Sequence, residues 1–364
     1  MGLVRKNIEQ MQGYVPGEQP TEGGYIKLNT NENPYPPSPL VAEALAAEAE
    51  LLRLYPDPMA NRLRARVAEL CQVPVEGTLV GNGSDELLTM AVRTFAEAGD
   101  IIVSPEPTYT LYKTLCEIQG ARYAPVPYRD DYSLNAALIP ARTRLVLVAN
   151  PNSPSGTLVP EETLARVAAA ISGVLVVDEA YVDFARKNCS GLLKERKNVV
   201  ILRTLSKSFS LAGLRVGYAL ADKNIIDEFS KVKDSYNVSR MAIAGGLAAL
   251  EDVAWMRENA RKIIATRKRL TARLEALGFF VFPSEANFVL ARIVSYPASQ
   301  IYLHLKKRRI LVRYYDTPRL QNCLRISVGT DEEIEKLLVQ IAEIIGSKGS
   351  MGRGIGAGKT GGTR

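Results

Sequence analysis

An apolar segment that ends in a carboxylate is the first part of this sequence that indicates chemistry. It runs Val174-Leu-Val-Val-Asp178 and continues as Glu-Ala-Tyr181. Ligands of open parallel sheets bind at the carboxyl ends of the strands, so Asp178 is predicted to lie beside a ligand. A carboxylate there loses hydration and needs a cationic partner, such as a protonated pyridine nitrogen. The alternative, from position alone, is that Asp178 caps the next helix.

A second segment, residues 204–217, places one amine among several anion-binding groups. It contains Thr204, Ser206, Lys207 and Arg215 and follows another apolar run. The Lys207 amine can form an imine with an aldehyde, and the Arg215 guanidinium can donate two hydrogen bonds to phosphate oxygens. The segment therefore fits a phosphorylated aldehyde. The alternative is that both residues belong to a solvated face, as most of the 46 basic residues do.

A third segment, Gly81-Asn-Gly83-Ser84-Asp85-Glu86, joins a predicted strand to a predicted helix. Its backbone N–H groups and the helix dipole can bind phosphate. It lacks the third glycine of the dinucleotide fingerprint, which makes a nicotinamide cofactor the weaker alternative. Tyr109, after the next strand, could stack on a flat heterocycle; otherwise it is an ordinary tyrosine among sixteen.

The elements that must position these residues alternate between strand-like and helical patterns, which is typical of βαβ units and a largely parallel sheet. Several strands are continuous Val, Ile and Leu runs suited to burial on both faces. Strands are predicted at 77–80, 100–103, 122–126, 144–149, 174–178, 199–203 and 216–220, with helices that include 84–98 and 161–171. The large domain is therefore predicted to be α/β.

Beyond residue 237 the pattern changes to a smaller α+β layer, joined by the extended N-terminal arm. Its predicted helices are 242–277 with a break near Asp252, 298–307 and 331–345, and its strands are 279–282, 288–291, 310–314 and 323–328. We predict an arm over 1–40 that forms part of the small domain, a large domain over 41–245, a small C-terminal domain over 246–346 and a disordered, Gly-rich basic tail over 347–364.

Composition excludes several classes of function. No apolar run approaches the roughly 18 residues that cross a bilayer, and the first residues carry no secretory signal, so we expect a cytoplasmic protein without a membrane partner. Cysteines 71, 116, 189 and 323 form no CxxC pair and are expected to be reduced core thiols. The single histidine, His304, leaves no imidazole partner for a hydrolase triad or a His-based metal site, and no metal is expected.

The net charge of +7 does not indicate a nucleic-acid partner. Lys348, Arg353, Lys359 and Arg364 supply four of the positive charges in the tail, which leaves 7 − 4 = +3 for the body. No basic stripe interleaved with aromatic residues accompanies that small excess. A small anionic substrate or cofactor remains consistent with it.

Together these segments resemble fold-type I pyridoxal-phosphate aminotransferases, over nearly the whole chain except the tail. Within that class the similarity is to histidinol-phosphate aminotransferases, in the runs 28–34, 55–58, 177–181, 204–215 and 323–330. The resemblance implies a large domain with a mostly parallel mixed sheet flanked by helices, plus a smaller α+β domain. It implies pyridoxal 5'-phosphate, bound to Lys207 as a Schiff base. The implied ping-pong reaction converts L-histidinol phosphate and 2-oxoglutarate into imidazole-acetol phosphate and L-glutamate, in histidine biosynthesis.

The resemblance also assigns roles around the cofactor. Lys207 would move the proton between the substrate Cα and the cofactor C4′, Asp178 would keep the ring nitrogen protonated, and Tyr181 would bond the phenolate oxygen. Tyr109 would stack on the ring. The phosphate would be held by Ser84, the Asp85 backbone N–H, Thr204, Ser206 and Arg215, with Tyr55 reaching in from the second subunit of a homodimer.

On the substrate side, the resemblance makes Arg325 the receptor of the substrate carboxylate or phosphate and Arg313 a second phosphate clamp. Tyr14, Asn31 and Asn287 would line the same side, although each has an ordinary loop or packing alternative. The sequence departs from the family motif NPNNPTG in one place, because Asn150-Pro-Asn152-Ser153-Pro-Ser-Gly156 has serine where the second asparagine bonds the phenolate. That contact is expected from Ser153, from Asn152 or through water.

Three other functions stay open at this point. The first is an aromatic amino acid aminotransferase. The second is a pyridoxal-phosphate-dependent decarboxylase of a phosphorylated amino acid. The third is a non-enzymatic scaffold whose basic tail binds nucleic acid.

Overall fold

Two β-sheets organise the computed structural model, which describes residues 2–351. The strands are β1 (Ile26–Leu28), β2 (Thr78–Gly81), β3 (Ile101–Val103), β4 (Pro105–Glu106), β5 (Arg122–Tyr123), β6 (Val126–Pro127), β7 (Leu145–Ala149), β8 (Val174–Asp178), β9 (Val199–Thr204), β10 (Gly217–Ala221), β11 (Phe280–Val281), β12 (Phe288–Arg292), β13 (Ile310–Tyr314) and β14 (Cys323–Ser327). Strands β4 and β6 form a separate two-stranded pair.

Helices cover both sheets. They are α1 (Lys6–Gln10), α2 (Pro39–Glu48), α3 (Asn61–Cys71), α4 (Ser84–Phe95), α5 (Leu111–Gln119), α6 (Glu161–Ala170), α7 (Leu192–Glu195), α8 (Lys223–Val232), α9 (Arg240–Glu251), α10 (Val253–Ala276), α11 (Ala298–Lys307) and α12 (Asp331–Met351). Short 3-10 helices lie at Ala49–Leu51, Val75–Gly77, Ala136–Leu138 and Val182–Phe184. None of the helices within residues 2–351 is long and apolar enough to cross a membrane.

The large sheet has seven strands in the order β2-β10-β9-β8-β7-β3-β5. Only β10 runs antiparallel to its neighbours, β9 and β2. The side chains of β8 alternate between two cores, since Leu175 and Val177 pack in one and Val176 in the other. This two-sided burial explains the continuous apolar run, because helices cover both faces of a parallel sheet. The predicted α/β class is confirmed.

The smaller sheet has the order β1-β13-β14-β12-β11. The N-terminal arm supplies β1, which pairs in parallel with β13, and the remaining pairs are antiparallel. Helices α10, α11 and α12 pack against this sheet or against one another. The arm therefore ties the start of the chain to the layer that carries Arg313 and Arg325.

Three elements differ from the predictions or sharpen them. The predicted strand 122–126 is two strands in different sheets, because Pro125 between them has no N–H for a ladder. The predicted break near Asp252 is confirmed, and its carboxylate caps α10 by accepting from the Trp255 N–H at 3.2 Å. Helix α12 continues to Met351, beyond the predicted end at 345, because an established helix propagates readily past its last apolar turn. The predicted disordered tail over 347–364 therefore begins within this helix, since 347–351 are helical, and residues 352–364 lie outside the described residues.

Candidate active site

A cleft of about 250 Å³ lies where the carboxyl ends of the large-sheet strands meet the arm and the small sheet. Most of the residues singled out from the sequence line it. They are Tyr14, Asn31, Ser84, Asp85, Tyr109, Ser153, Asp178, Tyr181, Thr204, Ser206, Lys207, Arg215, Arg313 and Arg325. The structure does not bring Tyr55, Asn152 or Asn287 to the lining of this cleft.

Asp178 ends β8 and is 5% exposed. Its Oδ2 accepts a hydrogen bond from the Tyr112 hydroxyl at 2.9 Å, and its Oδ1 accepts from the Ala180 N–H at 3.2 Å. Burial raises the pKa of the Asp178 carboxyl to about 6, while the Tyr112 hydrogen bond opposes that shift. A cation in the cleft would restore the charged form, because a nearby positive charge favours the carboxylate.

Lys207 follows β9 and projects its amine into the cleft. The Nζ atom donates to the Thr30 carbonyl at 3.3 Å and lies 5.9 Å from the centre of the Tyr181 ring. Burial, together with the Arg325 guanidinium, lowers the pKa of the Lys207 amine to about 8. A lysine in this condition is a nucleophile and a proton acceptor near neutral pH.

Tyr181 and Asn31 connect the large domain with the arm. The Asn31 amide donates to the Tyr181 hydroxyl at 3.1 Å, and its Oδ1 accepts from the Ser327 hydroxyl at 2.8 Å. Asn31 has φ 56, a left-handed conformation that asparagine tolerates better than most residues. Burial raises the pKa of Tyr181, and the Arg325 charge and the hydrogen bonds from Asn31 and Ser153 oppose this. The phenol therefore faces several groups that can stabilise negative charge beside it.

An anion site forms at the start of α4. Arg215 donates from Nη1 to the Ser206 hydroxyl at 3.3 Å and from Nη2 to the Asp85 carboxylate at 3.2 Å. The Thr204 hydroxyl donates to the Ser206 hydroxyl at 2.9 Å. The first N–H groups of α4, which begins at Ser84, have no partners within the helix and can bind phosphate.

Two glycines keep this anion site open. A Cβ at Gly83, whose φ is +80°, would lie 2.6 Å from Arg215 Nη2. A Cβ at Gly217 would lie 2.6 Å from the backbone nitrogen of Ser84. Both distances are far below a normal carbon contact, so glycine is what allows the guanidinium and the helix start to approach.

The small sheet supplies two arginines on adjacent strands, since Arg313 and Arg325 are paired in register. Arg325 is 9% exposed and donates from Nη1 to Ser153 Oγ at 3.0 Å and from Nη2 to the Asn29 carbonyl at 2.7 Å. Its buried Nε has no hydrogen-bond partner among the described residues. Arg313 is more exposed and donates to the carbonyls of Pro16 and Val15 at 3.3 and 3.5 Å. The arrangement can receive an anion in the cleft between the two guanidinium groups.

Two of the predicted ligand-binding residues do not line the cleft. The Asn152 amide is occupied within its own loop, donating to the Pro107 carbonyl at 3.2 Å and to Ser155 Oγ at 2.8 Å and accepting from Thr108. Ser153, not Asn152, faces the cleft. Asn287 is fully buried behind Asn31 and donates to its carbonyl at 2.9 Å, so it supports the lining instead of forming it.

Tyr55 lies on the outside of the chain. Its side chain is 76% exposed, and its ring stacks on Tyr236 with the centroids 4.5 Å apart. Within one chain Tyr55 therefore has no contact with the cleft.

Several cleft residues were not predicted from the sequence. Asn29 and Thr30 contribute backbone carbonyls, for which no side-chain pattern exists. The centre of the Tyr315 ring lies 5.3 Å from the central carbon of the Arg313 guanidinium and 5.9 Å from that of Arg325. Its position two residues after Arg313 was a usable signal, because residues i and i+2 of an extended segment face the same side.

Proteins similar to this chain share both its sequence pattern and its fold. Residues 24–341 match the family model described as aminotransferase class I and II. The chain is 45% identical over 350 residues to histidinol-phosphate aminotransferase 1 of Nostoc sp., covering 94% of this chain and 98% of that protein. It is 46% identical over 341 residues to histidinol-phosphate aminotransferase of Rhodopirellula baltica, covering 93% and 94%.

Solved structures agree with these relatives. Histidinol-phosphate aminotransferase from Sinorhizobium meliloti, solved in complex with pyridoxal-5'-phosphate, superposes with a TM-score of 0.86 at 27% identity, covering 96% of this chain and 99% of that one. A mutant of Thermus thermophilus aspartate aminotransferase gives a TM-score of 0.80 at 21% identity, covering 94% and 100%, and shares the fold.

Proposed function

The chain belongs to the histidinol-phosphate aminotransferases of the class I and II aminotransferase family, and we propose that its cleft transfers the amino group of L-histidinol phosphate to 2-oxoglutarate. The products are imidazole-acetol phosphate and L-glutamate, as histidine biosynthesis requires. The observation that carries this proposal is the convergence of Lys207, Asp178 and Arg325 in one cleft with an anion site at the start of α4.

Pyridoxal 5'-phosphate is the cofactor, and the residues of the cleft fit it. When bound, it supplies an electrophilic carbon for the amine and an electron-withdrawing pyridine ring. The buried Asp178, which has no lysine or arginine at hydrogen-bond distance among the described residues, suits a protonated ring nitrogen. Arg215, Ser206 and the first N–H groups of α4 suit the phosphate.

The residues of the cleft have separate roles in the proposed reaction. Lys207 Nζ would hold the cofactor, and the same amine would move the proton between the substrate Cα and the cofactor C4′. Its pKa near 8 makes the amine available for both roles. Tyr181 and Ser153, which line the cleft, would bond the cofactor's phenolate oxygen, and Tyr109 would cover its ring. Thr204 orients the Ser206 hydroxyl within the phosphate site.

The substrate side of the cleft must bind two chemically different anions in turn. These are the phosphate of L-histidinol phosphate and the carboxylates of 2-oxoglutarate. A planar guanidinium can pair with either. Arg325 is buried and held at both terminal nitrogens, so it is suited to a fixed anion position. Arg313 is less buried and can adjust to the larger phosphate, with Tyr14 beside it in the cleft.

The test is a panel of amino donors offered to the purified enzyme loaded with cofactor. We expect efficient turnover of L-histidinol phosphate with 2-oxoglutarate, parallel lines in double-reciprocal plots for the two-step cycle, and loss of turnover in Lys207→Ala. Arg313→Gln should raise KM for histidinol phosphate more than KM for 2-oxoglutarate. Faster turnover of phenylalanine than of histidinol phosphate would favour an aromatic aminotransferase. Release of carbon dioxide without formation of a keto acid would favour a decarboxylase.

We further propose that the enzyme acts as a homodimer in which Tyr55 reaches the cleft of the partner subunit. Tyr55 is exposed beside other exposed apolar residues, Leu51, Leu52 and Leu54. Exposed apolar side chains that cluster in this way are typical of a protein interface. Arg240, which donates to the Tyr55 carbonyl at 3.1 Å and pairs with Glu48 at 2.8 Å, fixes the backbone of this region.

Mixed dimers test this arrangement. Tyr55→Phe and Lys207→Ala should each lower activity when tested alone. In a mixture that exchanges subunits, about half of the dimers contain one subunit of each variant, and each of these dimers has one intact site of its two. The mixture should therefore recover roughly a quarter of the wild-type activity. No recovery despite exchange would mean that Tyr55 does not act across the interface. A cytoplasmic location is part of the same proposal, and the four free cysteines support a reducing compartment.

A further inference from the structure

A buried tyrosine contacts the carboxylate that faces the cofactor. Tyr112 lies on α5, is 0% exposed and is not part of the cleft lining. Its hydroxyl donates to Asp178 Oδ2 at 2.9 Å. Asp178 does line the cleft, so the hydrogen bond reaches the carboxylate from the protein interior.

The Tyr112 hydroxyl makes the shorter of the two hydrogen bonds to Asp178. The other hydrogen bond comes from the Ala180 N–H, at the longer distance of 3.2 Å. The neighbouring charges with the largest effect on the pKa of Asp178 are the carboxylates of Asp85 and Glu179, and both raise it, as burial does. In the free protein the Tyr112 hydroxyl is therefore the main group that favours the ionised form.

We propose that Tyr112 is a positioning residue that keeps Asp178 ionised and oriented to pair with the ring nitrogen of the cofactor. The inference rests on the proposed function, since it assigns Asp178 to that nitrogen. Tyr112 donates to one oxygen of the Asp178 carboxylate, so the carboxylate can still accept a hydrogen bond from the cleft side. A neutral donor suits this task, because an arginine or lysine in the same place would compete with the pyridinium for the charge of Asp178.

The same residue also contacts the proposed stacking ring. The rings of Tyr112 and Tyr109 meet edge to face, with centroids 5.6 Å apart. Replacement of Tyr112 by phenylalanine keeps that ring contact and the buried volume, and it removes only the hydroxyl. The substitution thus separates the hydrogen bond from the packing of the aromatic pair.

The experiment compares Tyr112→Phe with wild type in equilibrium binding of pyridoxal 5'-phosphate, followed by the absorbance of the bound cofactor over the pH range in which Asp178 titrates. Loss of a hydrogen bond to a charged group should weaken binding by about tenfold or more. The acid limb of the binding profile should move to higher pH by about one unit, because Asp178 would protonate more easily.

Tyr123→Phe is the matched control. The Tyr123 hydroxyl also donates to a carboxylate, Glu106 Oε1, at 3.0 Å, but this carboxylate, unlike Asp178, does not line the cleft. This variant should bind the cofactor like wild type at every pH. In an Asp178→Asn background, Tyr112→Phe should have little further effect on binding, as expected for two residues that act through one interaction.

A merely structural role for Tyr112 predicts a different result. Tyr112→Phe would then melt at a lower temperature while its affinity and acid limb stayed at the wild-type values, and this outcome overturns the inference. If Tyr112→Phe does not fold, Tyr112→Met removes the same hydroxyl with a more adaptable side chain. An enzyme that binds the cofactor but does not convert histidinol phosphate would refute the proposed substrate. The pH profile of cofactor binding would still test the role of Tyr112.

Discussion

The Arg325 guanidinium donates a hydrogen bond from Nη1 to the hydroxyl of Ser153, over 3.0 Å. Ser153 occupies the position at which the sequence departs from the family motif, and its hydroxyl also forms a hydrogen bond with Tyr181 that opposes the rise in the pKa of this phenol caused by burial. One small side chain therefore contacts both the arginine proposed to receive substrate and the phenol proposed to bond the cofactor.

Ser153→Ala should raise KM for both anionic substrates by about tenfold, with a smaller effect on kcat, because a buried guanidinium N–H loses its acceptor and Arg325 loses its fixed orientation. Steady-state kinetics with histidinol phosphate and 2-oxoglutarate measure the change. The control is Ser155→Ala, since Ser155 is buried in the same loop but bonds Asn152 and Thr157 instead of lining the cleft. Equal effects of the two substitutions would indicate a general disturbance of the loop.

Gly217→Ala should abolish tight binding of the cofactor phosphate. The added Cβ would meet the Ser84 nitrogen and the Gly83 carbonyl carbon, each at 2.6 Å, and would push the start of α4 away from Arg215. Overpacking against backbone also costs stability, typically about 1–3 kcal/mol. Calorimetric titration of the cofactor-free protein with pyridoxal 5'-phosphate, together with thermal melting, measures both effects.

The matched substitution is Gly213→Ala, four residues earlier in the same segment, where a Cβ would meet no atom within 4 Å. It should leave cofactor affinity near the wild-type value. If Gly213→Ala weakened binding as much as Gly217→Ala, the steric account of the anion site would be wrong.

The sequence was sufficient to predict residues whose position follows from a single element. Asp178 ends an apolar run, so its place at the edge of the sheet followed from the strand alone, and Lys207 and Arg215 follow the neighbouring strand. Ser84 followed from the helix start in the same way. Each of these residues lines the cleft.

Residues whose role depends on side-chain direction were not predictable in this way. Asn152 and Ser153 are adjacent in a loop, and only the tertiary contacts decide that Ser153 faces the cleft. Asn287 lies behind Asn31, one layer further from the cleft than the family resemblance implied. Tyr112 lies on an amphipathic helix where an aromatic residue predicts core packing, and its hydrogen bond joins residues 66 positions apart.

Asp178→Asn should stabilise the cofactor-free protein above about pH 6. Folding raises the pKa of Asp178 from 3.8 to about 6, so between these values the folded chain retains a proton that the unfolded chain releases. The free energy of unfolding therefore falls as the pH rises through this window, and the penalty is fully present above it. Two pKa units correspond to about 3 kcal/mol, which sets the upper limit of the gain in Asp178→Asn.

Urea unfolding of the cofactor-free protein on both sides of this window measures the gain. The advantage of Asp178→Asn should shrink toward low pH, whereas the exposed control Asp234→Asn should show no such pattern. A variant that is less stable than wild type at every pH would mean that the lost hydrogen bonds from Tyr112 and Ala180 outweigh the cost of the buried charge.

Lys207 should react with amine-directed reagents at a lower pH than an exposed lysine. Burial and the Arg325 charge lower the pKa of its amine to about 8, whereas the Asp227 carboxylate raises the pKa of Lys223 above 10.5. Trace labelling of the cofactor-free protein, read by mass spectrometry of the two peptides, should therefore reach half of its plateau near pH 8 for Lys207 and level off above that pH, while labelling of Lys223 still increases. Arg325→Gln should move the Lys207 profile to higher pH, because the positive neighbour is gone. Coincident profiles for Lys207 and Lys223 would contradict a depressed amine pKa, and with it the availability of Lys207 as a proton acceptor near neutral pH.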